Sequence, residues 1–316
     1  MADYEDNRDI LPKVVVLLGP TASGKTRWGI DLAKEFNGEI VSADSRQVYK
    51  KMSIGTAKAP GEWEWNGMSK MYYVEDVPHH LIDFLDPGKV FTAVEFRDKT
   101  LKCIKGMEKR GTKPFIVGGT GLYIQALIDN LQIPRVPPNK KLRQSLEQKS
   151  NAELVKILSS IDLEAAGSID PHNKRRIIRA LEVCIFSGEP FSKQQQKGEP
   201  VVEALQIGVD IPRDVLYRRI NERIDIMVNQ GLMQEVEQLL KQKYSWELSS
   251  MSGIGYRQLK PYFDGVVSLE DAIENLKRDT RHYARRQLTW FRRDKRIKWC
   301  KTYEEAKALV KNFFAS

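Results

Sequence analysis

The chain has 316 residues, 41% of them hydrophobic and 29% charged, with a formal net charge of +9, enough for one large domain or two with an ample core. No apolar run nears the roughly 18 residues that a bilayer span requires, and the opening "MADYEDNRDI" is acidic rather than signal-like. Cys103, Cys184 and Cys300 are isolated, with no C-x-x-C pair, which argues against disulfides and a zinc ribbon and predicts a reducing, cytoplasmic setting without a membrane anchor.

The first element is Val14 to Leu18, wholly apolar and rich in β-branched residues, as in a strand buried on both faces of a parallel sheet. It runs into Gly19, Pro20, Thr21, Ala22, Ser23, Gly24, Lys25 and Thr26, which match G-x-x-x-x-G-K-[ST] in full. Trp28, Ile30, Leu32, Ala33 and Phe36 then fall at roughly helical spacing, with Gly38 read as the helix stop. A strand, this loop and a helix form a phosphate cradle: backbone N–H groups curl around the oxygens and the helix N-terminus adds positive charge. In it Lys25 would reach the outer phosphates, and the Thr26 hydroxyl would hold Mg²⁺.

A second strand, "GEIVSAD", delivers Asp44 and Ser45-Arg46-Gln47 to the carboxyl end of the sheet, where such folds place their sites. Asp44 there suits a general base; the alternative is a helix N-cap or turn residue. Residues 55 to 90 carry Gly, Pro and paired Trp without clear period and read as long loops, His79 and His80 among them, two histidines that do not make a zinc site. A helix over 92 to 110 leads to "KPFIVGG", the third strand read from the sequence, which ends in Gly118-Gly119-Thr120-Gly121. An ordinary NTPase would carry a metal-binding aspartate there.

"IPRVPPNKK" marks a hinge into a helical stretch over 133 to 202, with "ALQIGVDIP" returning as a core strand. The expected organisation is therefore an α/β parallel-sheet core in residues 1–132, a helical insert domain in 133–202, and core continuation with basic helices in 203–316. The methionines at 68, 71, 227, 233 and 251 read as core.

The excess charge is local. Residues 277–298 hold ten Lys/Arg against Asp279 and Asp294, an excess of eight. At helical spacing Arg278, Arg281, His282, Arg285, Arg286, Arg292 and Arg293 share one side, and Tyr283, Ala284, Leu288, Trp290 and Phe291 the other. A helix seated on its aromatic face and presenting arginines outward suits the phosphates of a nucleic acid.

"GPTASGKT", "SADSRQVYK", "GGTGLY", "RRIIRALE", "GIGYRQL" and "HYARRQLTWFRRD" occur in this order across nearly the whole chain. Together they closely resemble the tRNA dimethylallyltransferases, also called tRNA isopentenyltransferases. The resemblance implies a P-loop, nucleotide-kinase-like core whose loop holds the diphosphate of dimethylallyl diphosphate, with Mg²⁺, and transfer of the dimethylallyl group to N6 of adenosine 37 beside the anticodon. It implies Asp44 as base and Thr120 beside the reacting centre, both near the tRNA. By position Arg219 or, one turn on, Arg223 would complete the diphosphate clamp. Family matches place Ser45, Arg46, Gln47 and Arg143 against tRNA, then Arg175, Arg176, Ile177, Ile178 and Arg179, then Ser252, Gly253, Ile254, Gly255, Tyr256 and Arg257. Arg278, Arg281 and Arg285 would grip phosphates. Eukaryotic members carry a C-terminal zinc finger. This chain ends at "KNFFAS" without a Cys/His cluster and is similar to the shorter bacterial form, with no dimerisation heptad and a monomer expected.

Three rival readings share parts of this pattern. A P-loop nucleoside or small-metabolite kinase explains the loop and core but not the basic helix. An isopentenyltransferase acting on free adenine nucleotides does not need so large a basic surface. An RNA-binding module with a vestigial loop does not need intact Lys25, Thr26 and Asp44.

Overall fold

The computed structural model describes residues 11–67, 69–134, 136–194 and 196–316. In chain order the elements are β1 (Lys13–Leu18), α1 (Lys25–Glu35), β2 (Gly38–Ala43), β3 (Glu62–Asn66), β4 (Ser69–Val74), β5 (Val77–His80), α2 (Ala93–Arg110), β6 (Lys113–Gly118) and α3 (Gly121–Ile128). Four helices follow, α4 (Lys140–Glu147), α5 (Asn151–Ile161), α6 (Leu163–Ser168) and α7 (Lys174–Ser187). The chain then forms β7 (Glu203–Val209), α8 (Arg213–Asn229), α9 (Leu232–Lys241), α10 (Lys260–Phe263), α11 (Leu269–Phe291), β8 (Lys298–Cys300) and α12 (Tyr303–Ala315).

Residues 11–128 and 201–316 make one compact unit and residues 129–200 a second. In the first, the strands of the described residues form one sheet in the order β3-β4-β5-β2-β6-β1-β7-β8. It is parallel from β5 to β8. Val14 to Leu18 are fully buried, as a strand covered on both faces must be. β1 connects to β2 on one side and β6 connects to β7 on the other, so the chain reverses direction between β1 and β6. That switch point opens a crevice at the strands' carboxyl ends.

Local chemistry sets the boundaries. α1 stops because Asn37 takes a left-handed φ of 52° after the Phe36 C-cap. Gly38, read from the sequence as the stop, is instead the first residue of β2. It is glycine for space: a Cβ there would lie 2.4 Å from the Phe115 ring. α2 opens on a full capping box between Thr92 and Glu95 and closes on left-handed Gly111.

The segment 55 to 90 is not the run of loops expected. β3, β4 and β5 form an antiparallel extension, with Trp63 opposite Tyr72 and Trp65 opposite Lys70. Aromatic cross-strand pairing, invisible to a periodicity count over a short mixed segment, supplies the strands. His79 and His80 therefore lie in β5 rather than a loop. Of the methionines read as core, only Met251 is fully buried; Met71, Met227 and Met233 are half-buried, and residue 68 lies outside the described residues.

The second unit packs α4 to α7 around Leu154, Leu158, Ile177, Ile178, Ala180, Leu181 and Val183. Each leucine buried there contributes roughly 1.5–3 kcal/mol. Asn139, Ser150, Asp162 and Asn173 cap the four helices with side-chain oxygens. Within this core the fully buried Glu182 takes Arg143 and Arg179, each at 2.6 Å, and the Asn139 N–H.

Candidate active site

The loop after β1 is held by two left-handed residues, Ala22 at φ 63° and Gly24 at φ 94°. Gly24 is the N-cap of α1 and supplies no side-chain hydrogen bond, so no side chain caps the first-turn N–H groups. They point at the space an anion would fill. The Ser23 hydroxyl is buried there without a hydrogen-bond partner, a cost that a phosphate oxygen would remove. The Lys25 ammonium folds back to the Pro20 carbonyl at 3.2 Å. Its burial pushes the pKa down to about 8, with Asp44 opposing that shift and Arg223 adding to it.

Both arginines of α8 named from the sequence converge on this loop. A Cβ on Gly24 would lie 3.7 Å from an Arg219 terminal nitrogen. The half-buried Arg223 has its pKa lowered by desolvation and then by Arg219. The loop thus meets three basic side chains and one carboxylate.

That carboxylate is Asp44, just beyond β2. Its Oδ1 accepts from the Arg46 and Gln47 N–H groups at 2.8 and 3.3 Å, an Asx turn that fixes the side chain. Turn residue and crevice carboxylate are thus one and the same. Thr120 sits beside it: its N–H donates to the Ala43 carbonyl at 3.1 Å and its Oγ1 accepts from the Ser45 N–H at 3.0 Å. The Thr120 proton is left to point elsewhere.

Further residues brace this end. Gln47 donates to the Thr56 and Ala57 carbonyls, and Arg46 to the Ser249 carbonyl. The 252–257 segment is brought beside Arg46, where a Cβ on Gly253 would lie 3.1 Å from the arginine's Cδ. Tyr256 is fully buried and donates to Glu235, whose carboxylate also receives the N–H groups of Ser53, Ile54 and Gly55. Gly255 is left-handed at φ 107°, and a Cβ there would lie 2.5 Å from the Gly55 carbonyl oxygen. Tyr256, Gly253 and Gly255 are therefore supports, whereas Arg257 is exposed and Ser252 and Ile254 are half-buried.

Several readings change in the same way. Ile177 and Ile178 fill the core of the second unit and have no side-chain surface for RNA. Arg143 and Arg179 are bound to Glu182, whereas Arg175 and Arg176 are exposed. In α11 the arginine side is borne out at Arg278, Arg285 and Arg286, all exposed, while Arg281 also donates to Asn221 at 2.7 Å. Trp290, expected against the core, is 38% exposed. Helix α11 ends at Phe291, so Arg292 and Arg293 belong to the turn after it.

Two residues of α11 join the site, both inside the "HYARRQLTWFRRD" motif, whose sequence reading rests on its arginines. Tyr283 has its pKa pushed up to about 12, first by burial and then by the Asp44 charge. Gln287 is a buried amide on an otherwise apolar stripe with Ala284 and Phe291. A polar residue at helical spacing on a buried face, inside that motif, is the signal the sequence offers for it.

The donors suit Mg²⁺ only as an ion shared with a substrate. Thr26 offers a hard hydroxyl oxygen, and no cluster of three His, Cys, Asp or Glu exists among the described residues. Mg²⁺ ordinarily completes its shell with phosphate oxygens and water.

Fold and crevice define a P-loop protein in which the anion loop faces a fixed carboxylate instead of a second metal-binding acid. The IPP transferase family model matches residues 47–294. The chain is 46% identical to the tRNA dimethylallyltransferase of Roseiflexus sp. (strain RS-1), covering 89% of this chain and 90% of that protein. It is 45% identical to the tRNA dimethylallyltransferase of Anoxybacillus flavithermus, covering 91% and 89%. Among solved structures, the tRNA delta(2)-isopentenylpyrophosphate transferase of Staphylococcus epidermidis superposes with a TM-score of 0.67 at 37% identity over 96% of this chain and 99% of that one. A eukaryotic dimethylallyltransferase described as acting on tRNA gives 0.71 at 29% identity over 88% and 69%. The chain belongs to the IPP transferase family.

Proposed function

We propose that this chain transfers the dimethylallyl group of dimethylallyl diphosphate to N6 of adenosine 37 in the tRNA anticodon loop, releasing diphosphate. One observation carries the reading: the uncapped anion loop with Lys25 and the fixed carboxylate of Asp44 face the same crevice, where the Asp44 charge acts on the Lys25 ammonium.

An allylic carbon departs from diphosphate once the leaving charge is stabilised. The α1 N–H groups, Lys25, Arg219 and Arg223 are placed to do that. Mg²⁺ bound to the diphosphate and the Thr26 hydroxyl would supply further Lewis-acid stabilisation. Adenine N6 is a weak nucleophile because its lone pair is delocalised into the ring. Asp44 Oδ2 accepts no hydrogen bond among the described residues and would take the N6 proton. The Thr120 hydroxyl, its acceptor side used by Ser45, would donate toward the same centre. The target base must leave its stack to arrive there. Arg257 and the arginines of α11 in the first unit, and Arg175 and Arg176 in the second, would hold the RNA backbone.

The kinase reading is not favoured. β6 ends in Gly118 and leads into Gly119 and Thr120, without the acid a phosphoryl-transfer site uses to hold its metal. The test is a pair of reactions on unmodified tRNA with adenosine at position 37. Label entering tRNA from dimethylallyl diphosphate with Mg²⁺, and lost in Asp44→Ala, is the expected result. Label moving instead from γ-labelled ATP would restore the kinase.

A further inference from the structure

Gln287 sits on the buried stripe of α11, and its amide reaches across the switch point of the sheet. Its Oε1 accepts from the Thr21 N–H of the anion loop at 2.9 Å. Its Nε2 donates to the Gly119 carbonyl at 2.9 Å in the loop that carries Thr120. The two loops follow β1 and β6, the strands between which the chain reverses direction. The fit leaves no slack: a Cβ on Gly119 would lie 2.4 Å from Gln287 Nε2 and 3.3 Å from the Gly19 carbonyl oxygen. The same helix turns Arg285 and Arg286 to solvent.

We propose that Gln287 is a positioning residue that fixes the diphosphate loop and the Thr120 loop at one separation, and so sets the distance between leaving group and accepting nitrogen. This rests on the site reading above. A primary amide suits the task because it offers an acceptor to one loop and a donor to the other from a single planar group. It touches neither substrate; it acts through Thr21 and Gly119. A shift of an ångström between reacting groups costs on the order of a hundredfold in rate.

Three variants test it: Gln287→Leu, Gln287→Glu and Gly119→Ala. Each is measured with saturating dimethylallyl diphosphate and with tRNA titrated, beside Lys25→Ala and a thermal melt. Gln287→Leu is expected to lose about 10- to 100-fold in kcat with KM for tRNA within threefold of wild type. Gly119→Ala pushes on the same amide from the other side and should give a similar loss. The double variant Gln287→Leu/Gly119→Ala should be little worse than either single, the mark of one shared interaction.

Gln287→Glu keeps the acceptor for Thr21 but, when ionised, sets a carboxylate against the Gly119 carbonyl. Its kcat relative to wild type should recover as pH falls, because the protonated acid again donates; Gln287→Leu should show no such recovery. Wild-type kcat in folded Gln287→Leu, or additive losses in the double variant, would overturn the proposal while leaving the site intact if Lys25→Ala is inactive. Full activity in Lys25→Ala would instead sink the site reading, and the positioning role with it.

Discussion

Lys25 holds a proton where burial disfavours it, and its pKa of about 8 falls close to neutrality, where a lysine is ordinarily charged throughout. Protonated below that value it attracts the diphosphate, and neutral above it the attraction is lost. KM for dimethylallyl diphosphate is therefore expected to rise above pH about 8, approaching tenfold per pH unit. Lys25→Arg, whose charge persists, should flatten that rise. A wild-type KM that stays constant well into the alkaline range would contradict the assignment. At Asp44 the expected loss in kcat for Asp44→Asn is on the order of 10²–10⁴, the range of a positioned base, with the melting temperature nearly unchanged. A single-turnover assay beside a thermal melt separates lost chemistry from lost folding.

The neighbouring histidines of β5 make opposite predictions. Burial opposes charge on His80, but Cys103 and Glu39, the latter at 2.6 Å, hold its pKa up at about 9. Its contribution to stability is complete below the ordinary histidine value of about 6.5 and is lost as pH rises through 9. Burial drives His79 down to about 4, so its contribution is complete above about 6.5 and is lost as pH falls through 4. Thermal melts across pH should show His80→Gln removing the alkaline decline and His79→Gln the acid one. If both variants track the wild type at every pH, the assigned environments are wrong.

Among the elements, α1 and α11 carry the function from opposite requirements. α1 leaves its N-terminus without a side-chain cap, against the usual preference for Ser, Thr, Asp or Asn. That forgone stability is what a bound anion would restore. α11 is legible as a basic amphipathic helix because its apolar and aromatic positions separate from its arginines by period alone. Its exposed arginines should act additively on RNA backbone binding. Replacing Arg278, Arg285 and Arg286 by Ala is expected to weaken tRNA binding and to lower the slope of log K against log salt by about one for each phosphate left without its arginine. Nitrocellulose binding between low and moderate salt reads this directly; an unchanged slope would remove the helix from the interface. The antiparallel β3–β5 extension was illegible for a different reason, since its strands exist through partners in the sheet, such as Trp63 against Tyr72, rather than through any pattern of their own.

At the scale of the whole chain, the second unit is organised around Glu182, a carboxylate with no exposed surface and three hydrogen-bonding partners. Burial raises the cost of its charge, yet Arg143, the Asn139 N–H and Arg179 hold its pKa below the usual carboxylate range. Glu182→Ala leaves the Asn139 N–H unpaired and is expected to cost about 1–3 kcal/mol. Hydrogen exchange should show that loss concentrated in residues 129–200; an even loss across the chain would argue that the unit does not respond by itself. Arg143 and Arg179, which the family resemblance places against tRNA, both reach Glu182: Arg179 does so at i,i+3 within α7, a spacing the sequence shows, whereas Arg143 comes from α4 and leaves no such trace.

What the sequence determined by itself was whatever is local or periodic: the phosphate loop between strand and helix, the carboxylate that ends β2, the arginine face of α11 and the parallel core. Backbone geometry and side-chain period decide those within a few residues. Tertiary structure alone decided which side chains answer one another across distance. It set Arg143 of α4 against Glu182, buried Ile177, Ile178 and Tyr256, and paired the strands of the edge extension. It also laid the Gln287 amide between two loops that lie 168 and 266 residues away from it in the chain. Such pairings depend on how elements pack, because a hydrogen bond or an excluded Cβ is a matter of ångströms that no one-dimensional spacing encodes.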